Sequence, residues 1–472
     1  MSPAIALAVS LAMEFLAPGS AAADGLDFDL VDARSVGRAG AVTVSSDSSA
    51  ALLLNPAGLA RRGEWRVQLG MSLHDGDSSF LVARNSSGDA RDNQAAPMTA
   101  PQFALIGPLG PVVVGVAYLR VSGLSRQLQR PPRILPGDLE QQMALEELFV
   151  HRYGGLELRY QQHGVLVGAA SRVLPWLGVG VSVAGYQVRL DESRHVWAGI
   201  AEAGDRVEDL GLDFDLVLEG RDDFVPGASL GVLIAPLDLP LEMALSATMT
   251  LNGKLSGSAN LTRWCDPRMP PCPEVFPRAE LVDPSSSVEI ARPLVVRAGV
   301  RYLGQRLTVE AGGELFFFLD KGLDNGGDWQ LGGVDVRHAN QTVGTLERIP
   351  TLLAQRDHGA LRIAADVDLA DGFLWLSAGY AYRTAGSSRS RHAPGYADLA
   401  GHTVALGAES QWNGMTLNIG YSRTINPEVT VTTSELTVAN PFDASSTIGM
   451  VGEGVYSAAR DVFGLSLEVA WQ

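Results

Sequence analysis

The chain has 472 residues, of which 46% are hydrophobic and only 19% charged, with 52 glycines and a formal net charge of −17. So acidic a protein is excluded from a general role on nucleic acid, whose phosphates need a basic surface. High glycine with few charged residues argues against a helical enzyme, and two cysteines cannot staple a chain this long.

Residues 1–23 read as a secretory signal peptide, with an apolar run from Pro3 to Ala12 and small residues Ala21, Ala22 and Ala23 before Asp24. No basic residue precedes the run and Glu14 interrupts it, so the fit is imperfect. No other stretch approaches the roughly 20 apolar residues of a spanning helix, so a membrane location would require a closed β-barrel. Residues 24–63 form a small-residue-rich segment ending in Asn55-Pro56-Ala57-Gly58. Pro56 drives Asn55 extended, and the Asn55 side chain can bond the backbone two residues on.

From residue 64 to 472 the dominant signal is two-residue alternation. Trp65, Val67, Leu69, Met71 and Leu73 share one face against Arg66, Gln68, Gly70 and Ser72. The same holds for Leu241, Met243, Leu245, Ala247, Met249 and Leu251, for Met415, Leu417, Ile419 and Tyr421, and for Phe463, Leu465, Leu467, Val469 and Trp471. The intervening residues are mostly Gly, Ser and Thr with isolated charges, which suits lipid outside and a polar lumen inside. About fourteen strands can be placed, each near ten residues, with starts at Glu64, Thr99, Pro111, Gly155, Leu177, Asp222, Leu241, Val288, Leu307, His358, Phe373, Gly401, Met415 and Ser457. Short and long connections alternate between them. The short ones are 107–110, 174–176, 236–240, 304–305, 371–372 and 413–414, and the long ones 75–98, 122–154, 191–221, 253–287, 321–357, 385–400 and 426–456. Keeping every long loop at one end is the habit of an outer-membrane barrel. Trp65, Trp176, Trp375, Trp412 and Trp471 fall toward the short-turn side and Tyr118, Tyr302 and Tyr382 toward the other, as interfacial aromatic girdles would.

The segment before the first strand, with Gly37-Arg38-Ala39, Asp47 and Asn55-Pro56-Ala57, resembles the hatch of the FadL-type outer-membrane transporters of long-chain fatty acids and other hydrophobic compounds. Later pieces agree: Ala378-Gly379-Tyr380-Ala381-Tyr382, Pro394-Gly395-Tyr396-Ala397-Asp398, the run 401–407, Leu417-Asn418-Ile419-Gly420-Tyr421 and Gly452-Glu453-Gly454-Val455-Tyr456. The resemblance implies an all-β, fourteen-stranded antiparallel transmembrane barrel whose lumen is plugged by the hatch, with Gly37, Arg38, Asp47, Asn55, Pro56 and Ala57 as gating residues. It implies an extracellular hydrophobic groove, an inner apolar pocket, a kinked strand and release after hatch rearrangement. A barrel this wide would leak without a plug.

Several residues invite a functional role. In the loop 121–154, Asp138 and Gln141 have capping-box spacing for a helix, and Leu139, Met143, Leu148 and Phe149 are candidates for the entry groove against a merely structural rim helix. Arg66, Glu242, Arg297, Arg301, Glu310 and Glu314 fall on the lumen face, with Arg297 and Arg301 opposite Glu310 and Glu314. A cross-lumen charge ladder is the plain reading, and an arginine holding a ligand carboxylate the sharper one. Phe316 and Phe318 would add apolar lining. Cys265 and Cys272 are expected to form a loop disulfide in an oxidising compartment. Asp320, Asp324 and Asp328 lack calcium-loop spacing; they can be solvated or bridge to lipopolysaccharide through divalent cations. No metal, nucleotide or other cofactor motif is present, and the scattered histidines make no catalytic pattern. The sequence therefore predicts a passive, non-enzymatic, monomeric importer of long-chain fatty acids or similar hydrophobic molecules, seated among outer-membrane lipid and lipopolysaccharide. The rivals are a secretion or surface-anchoring barrel of the same superfamily and, further off, a general porin.

Overall fold

The alternating stretches become strands β1 (Trp65–Val82), β2 (Arg91–Asp92), β3 (Met98–Leu109), β4 (Val112–Gln127), β5 (Glu157–Leu174), β6 (Leu177–Trp197), β7 (Asp213–Ile234), β8 (Leu241–Thr250), β9 (Gly253–Arg263), β10 (Arg278–Leu281), β11 (Ser285–Ile290), β12 (Leu294–Leu303), β13 (Leu307–Phe317), β14 (Asp328–His338), β15 (Gln341–Pro350), β16 (His358–Asp368), β17 (Leu374–Arg383), β18 (Gly401–Trp412), β19 (Met415–Val431) and β20 (Gly454–Trp471). This computed structural model describes residues 30–83, 90–133, 138–199, 209–264, 278–320, 327–338, 341–440 and 451–471. The segment 1–23, the cysteines Cys265 and Cys272, and Asp324 lie outside the described residues.

Fourteen of the strands close a wall in the order β1, β3 to β8, β12, β13 and β16 to β20, every pairing antiparallel. β20 returns to β1 along its whole length, from Trp65 opposite Trp471 to Val82 opposite Gly454, so no wall edge is left open. The short turns fall at one end as expected, and Asn413 and Gly414 take the positive φ values (47° and 78°) that a tight hairpin requires. The hydrophobic alternation faces outward within this wall: Leu69, Met71, Val181, Val183, Leu230, Leu245, Ile419 and Phe463 are all exposed. Burying such a surface in water is impossible without a partner, and lipid is the partner a closed barrel has.

The strands are longer than a bilayer needs. β6 has 21 residues and β7 has 22, against about 10 for a spanning strand. Above the membrane band the polarity of alternation inverts. On β5 the outward residues change from Val167 and Val165 to Arg159, while the buried ones change from Gly168 and Gly164 to Tyr160 and Leu158. On β7 an extra residue at Asp223–Phe224, opposite Gln187, shifts the phase, so that Leu216 and Leu218 point inward above it and Ser229 and Leu233 below it. This slip explains why the strand starts at Asp213 rather than at Asp222: its upper half is out of step with its lower half.

Three other expectations need correction. The strand expected at Val288 is two elements, because Pro293 has no N–H for the ladder: β11 ends at Ile290 and the wall strand β12 starts at Leu294. The described parts of the long connections 253–287 and 321–357 are largely sheet. The upper half of β7 pairs with β9, β9 with β11, β11 and β10 with β14, and β14 with β15. Tyr302 lies at the short-turn end, one residue before the close of β12, where Leu303 donates to the Pro240 carbonyl (2.8 Å); the five tryptophans stand on that side as expected.

The loop helix is present over Leu139–Leu148 with Asp138 as its cap, but Asp138 accepts from the Glu140 N–H (3.4 Å), and no capping-box return from Gln141 is found. Its inner contact is Leu145 against Leu210 and Trp264. The following turn, Val150–Tyr153, is buried in the extracellular part, and burial holds His151 down at about 3, with Arg91 and Arg152 adding to the effect against a hydrogen bond to the Gln129 carbonyl. A histidine kept neutral in the fold but free to charge when unfolded loses stability as pH falls from about 6.5 toward its folded value. Hydrogen-exchange protection in 139–153, corrected for the pH dependence of intrinsic exchange, is therefore expected to fall steadily between about pH 6.5 and about 4 in the wild type. In His151→Gln the slope should be shallower by up to about 1.4 kcal/mol per pH unit, and an unchanged slope would remove His151 as the sensor.

Candidate functional site

The lumen is occupied by residues 30–63. Asp32 caps the short helix Ala33–Val36 reciprocally with Ser35: the Ser35 N–H donates to Asp32 Oδ1 (2.8 Å) and the Asp32 N–H to Ser35 Oγ (3.0 Å). Ala39 and Gly40 then adopt positive φ (49° and 78°) and turn the chain. A second helical turn, Ala51–Leu54, leads into Asn55, which is extended (φ −159°, ψ 93°) as the Asn-Pro junction predicts. Its Oδ1 accepts from the Ala57 N–H (3.2 Å), and its Nδ2 donates to the Thr43 carbonyl (3.0 Å), tying the two halves of the segment together.

The segment fits because the wall facing it is lined with glycine. A Cβ at Gly231 would sit 2.1 Å from Asn55 Oδ1, at Gly180 2.4 Å from the Pro56 carbonyl carbon, and at Gly379 2.3 Å from the Arg38 carbonyl carbon. Gly37 meets Gly407 backbone to backbone: a Cβ on Gly37 would fall 2.7 Å from Gly407 Cα. Serine hydroxyls at neighbouring inward positions donate to the segment's carbonyls, Ser182 to Leu52 (2.5 Å) and Ser246 to Leu54 (2.5 Å). The glycine content that marked the sequence as unusual is, at these positions, the space the plug occupies.

Charge fixes the other half. Arg38, fully buried, pairs with Glu310 (2.9 Å) on β13 and with Asp366 on β16, and its Nε donates to the Ala41 carbonyl (3.0 Å). Glu310 also accepts from the Val44 N–H (2.7 Å). Arg61 pairs with Glu242 (2.8 Å), and Arg62 bridges Asp47 (2.8 Å) and Glu468 (3.3 Å). The register expected for the lumen charges holds, with Arg297 opposite Glu314 and Arg301 opposite Glu310. Their pairing is redistributed by the plug. Arg297 keeps Glu314 (3.1 Å), which Arg362 also binds, while Arg301 turns to Glu242 (3.5 Å) because Glu310 is taken by Arg38. Arg66 is buried beside Glu468 (3.8 Å). Sequence pattern finds these wall charges but cannot show that their partners sit in the plug.

Below the plug the passage is polar: a cavity of about 310 Å³ is lined by Arg34, Asp47, Arg62, Arg301, Asp366 and Glu409, among others. Above it a large apolar cluster fills much of the interior. Leu52 and Leu53 begin a buried cluster that continues through Tyr186, Leu190 and Leu218 to Trp329, Ile349 and Leu352 under the extracellular sheet. Phe316 and Phe318 face inward as expected, Phe316 stacked on His358 (4.2 Å between centroids). Of the proposed groove residues, Met143 is exposed, Leu148 is half-buried, and Phe149 is buried beneath Arg91 (5.1 Å to its ring). Leu139 opens the helix. The apolar column was missed because its residues belong to strand ends that continue past the membrane band; the inverted alternation in 157–160 and 216–219 is the signal that finds it.

No family model matches the chain, and no curated protein matches it by sequence. By structure it is similar to a Pseudomonas aeruginosa FadL homologue, at a TM-score of 0.69 over 96% of this chain and 100% of that one, with 14% identity. This is the FadL-type barrel fold. The P. putida toluene transporter TodX is similar at a TM-score of 0.62 (13% identity, 90% of this chain and 95% of that one), and the Ralstonia pickettii toluene transporter TbuX at 0.57 (14% identity, 95% and 96%). The FadL-type fold thus spans the wall, the plug and most of the extracellular part together.

Proposed function

We propose that the chain is a passive outer-membrane channel for the uptake of hydrophobic molecules, with the segment 30–63 as its gate. The observation that carries this reading is the buried apolar cluster that runs from Trp329 and Leu352 to Leu52 on the plug, inside a wall whose other face is lipid-exposed. A general porin needs a wet lumen, and an anchoring barrel has no use for an apolar interior that ends on a plug pinned by hydrogen bonds and ion pairs.

Within that class we favour long-chain carboxylates. Arg292 reaches the column, donating to the Tyr160 hydroxyl (3.1 Å) with its guanidinium 5.8 Å from the Tyr160 ring centroid. A cation at the side of an apolar passage suits an amphipathic acid better than a neutral hydrocarbon. Mass spectrometry of gently extracted protein is expected to find a co-purified fatty acid; repeated preparations with no lipid-like ligand would count against transport altogether. Arg292→Met is expected to slow uptake of a long-chain fatty acid about tenfold while sparing toluene. Equal loss for both would make Arg292 a structural residue.

A further inference from the structure

Above the lipid-facing band, one side of the barrel carries a row of cations that the passage does not use. Following each neighbouring strand outward past its last exposed apolar residue, the first arginine or lysine met on the outer face is Arg120 on β4, Arg159 on β5, Arg189 on β6, Arg221 on β7 and Lys254 on β9. Below them lie Tyr118, Val165, Val183, Phe224 and Leu251, all exposed. Arg189 and Arg221 are direct cross-strand partners, so two positive charges stand side by side on this face. Arg120 is half-buried and holds the Thr99 carbonyl (2.8 Å). Acids share the surface: Asp191 accepts from Arg189 Nε (2.9 Å) and Asp223 from Arg221 Nε, Glu219 is exposed opposite Asp191, and Glu157 lies outward on β5. Both arginines use Nε, which leaves the terminal nitrogens of side chains that are 52% and 58% exposed to other acceptors. Across the barrel the same height is mostly acidic, with Asp75, Asp77 and Asp461 outward and one cation, Arg423, paired to Asp461 (3.4 Å) above Tyr421. In a chain of net charge −17, a one-sided basic row set directly on apolar wall is a specific arrangement.

We propose that this row is a binding surface for a phosphorylated glycolipid of the outer leaflet, its acyl chains lying on the Val165–Val183–Phe224 face and its phosphates bridging Arg159, Arg189 and Arg221. Charge complementarity selects the occupant: the surface joins a cation row to lipid-exposed apolar area, so its ligand must carry both anionic groups and acyl chains. The proposal is independent of what the lumen carries.

The test uses full-length protein in mild detergent, titrated with purified lipopolysaccharide and followed by native mass spectrometry. Arg159→Ala/Arg189→Ala/Arg221→Ala is expected to bind about a hundredfold more weakly than the wild type, about fivefold per arginine. Arg306→Ala, at an exposed turn on the opposite rim, should bind as the wild type does. Dephosphorylated lipopolysaccharide and phosphatidylethanolamine should compete poorly, and inorganic phosphate at the same phosphate concentration should not compete. Heat-modifiable gel mobility confirms that each variant is folded; should the triple variant fail there, Arg159→Ala alone must still show its fivefold share. Unchanged binding by the folded variants, equal competition by the dephosphorylated lipid, or full competition by inorganic phosphate would each overturn the proposal.

Discussion

Gly231→Val is expected to turn a nearly silent barrel into a conducting one in planar bilayers. The new side chain begins at a Cβ only 2.1 Å from Asn55 Oδ1 and 3.0 Å from Pro56 Cδ. Gly231 lies near the short-turn end of β7 but is paired on both sides, to Gly180 and to Ser246, so the wall has little freedom to yield. The plug must move instead, losing the Asn55 bonds to Ala57 and Thr43. Overpacking of this kind costs about 1–3 kcal/mol. Arg38→Met attacks the other half by a different route, leaving Glu310 and Asp366 buried without their cation. Removing one partner of a buried ion pair costs about 3–5 kcal/mol, which shifts a closed-to-open ratio at least about a hundredfold. Gly76→Ala is the control, since a Cβ there meets nothing within 4 Å. The measurement is single-channel conductance on protein whose gel mobility shows a folded barrel, with limited proteolysis of 30–63 run beside it. If both variants expose the segment to protease yet conduct like the wild type, the seal lies in the apolar column above, and the plug is not the gate.

Much of this was legible in sequence because a membrane wall imposes a strict rule: one outward apolar residue in every two, for about ten residues, with tight turns at one end. Trp65 to Leu73 and Phe463 to Trp471 obey it, and the starts expected at Glu64 and Ser457 fall one and three residues from where β1 and β20 begin. The plug was legible through Asn55-Pro56-Ala57, whose local chemistry dictates a turn wherever it stands. Above the membrane the rule lapses. There the sheet buries apolar residues inward and sends polar ones out, bulges at Val121 and at Asp223–Phe224 reset the phase, and Pro293 splits one apparent strand into two. Each change is small in sequence and moves every neighbouring side chain to the other face. The pairing of Arg38 with Glu310 and Asp366 was illegible for another reason: it joins residues 272 and 328 positions apart, and nothing local to either announces the other.

The second large effect is expected at Asp213, far from the plug. Its carboxylate is fully buried and gathers the extracellular part, accepting from Arg152 Nε (2.6 Å), the Tyr153 hydroxyl (2.7 Å) and His195 Nδ1 (3.0 Å). Those donors come from the turn after the loop helix and from the top of β6, while Asp213 starts β7. Burial disfavours a charged His195 and the bond to Asp213 favours it, burial being the stronger, so the carboxylate is the anion for Arg152 above all. Asp213→Ala would leave the Arg152 guanidinium buried without that anion, at a cost of about 3–5 kcal/mol. Asp213→Asn keeps an oxygen for one donor and should cost less. The wall beneath, held by pairing on both sides of every strand, does not depend on this residue. Hydrogen exchange is therefore expected to accelerate in 139–153 and at the tops of β6 and β7 in Asp213→Ala, with β16 to β20 unchanged. Ligand uptake should fall with it, because the upper end of the apolar column is assembled from those same strand ends. Uniform acceleration over the whole barrel would show instead that the extracellular part and the wall unfold as one unit. Local acceleration with undiminished uptake would mean that ligand reaches the column without help from the extracellular cap.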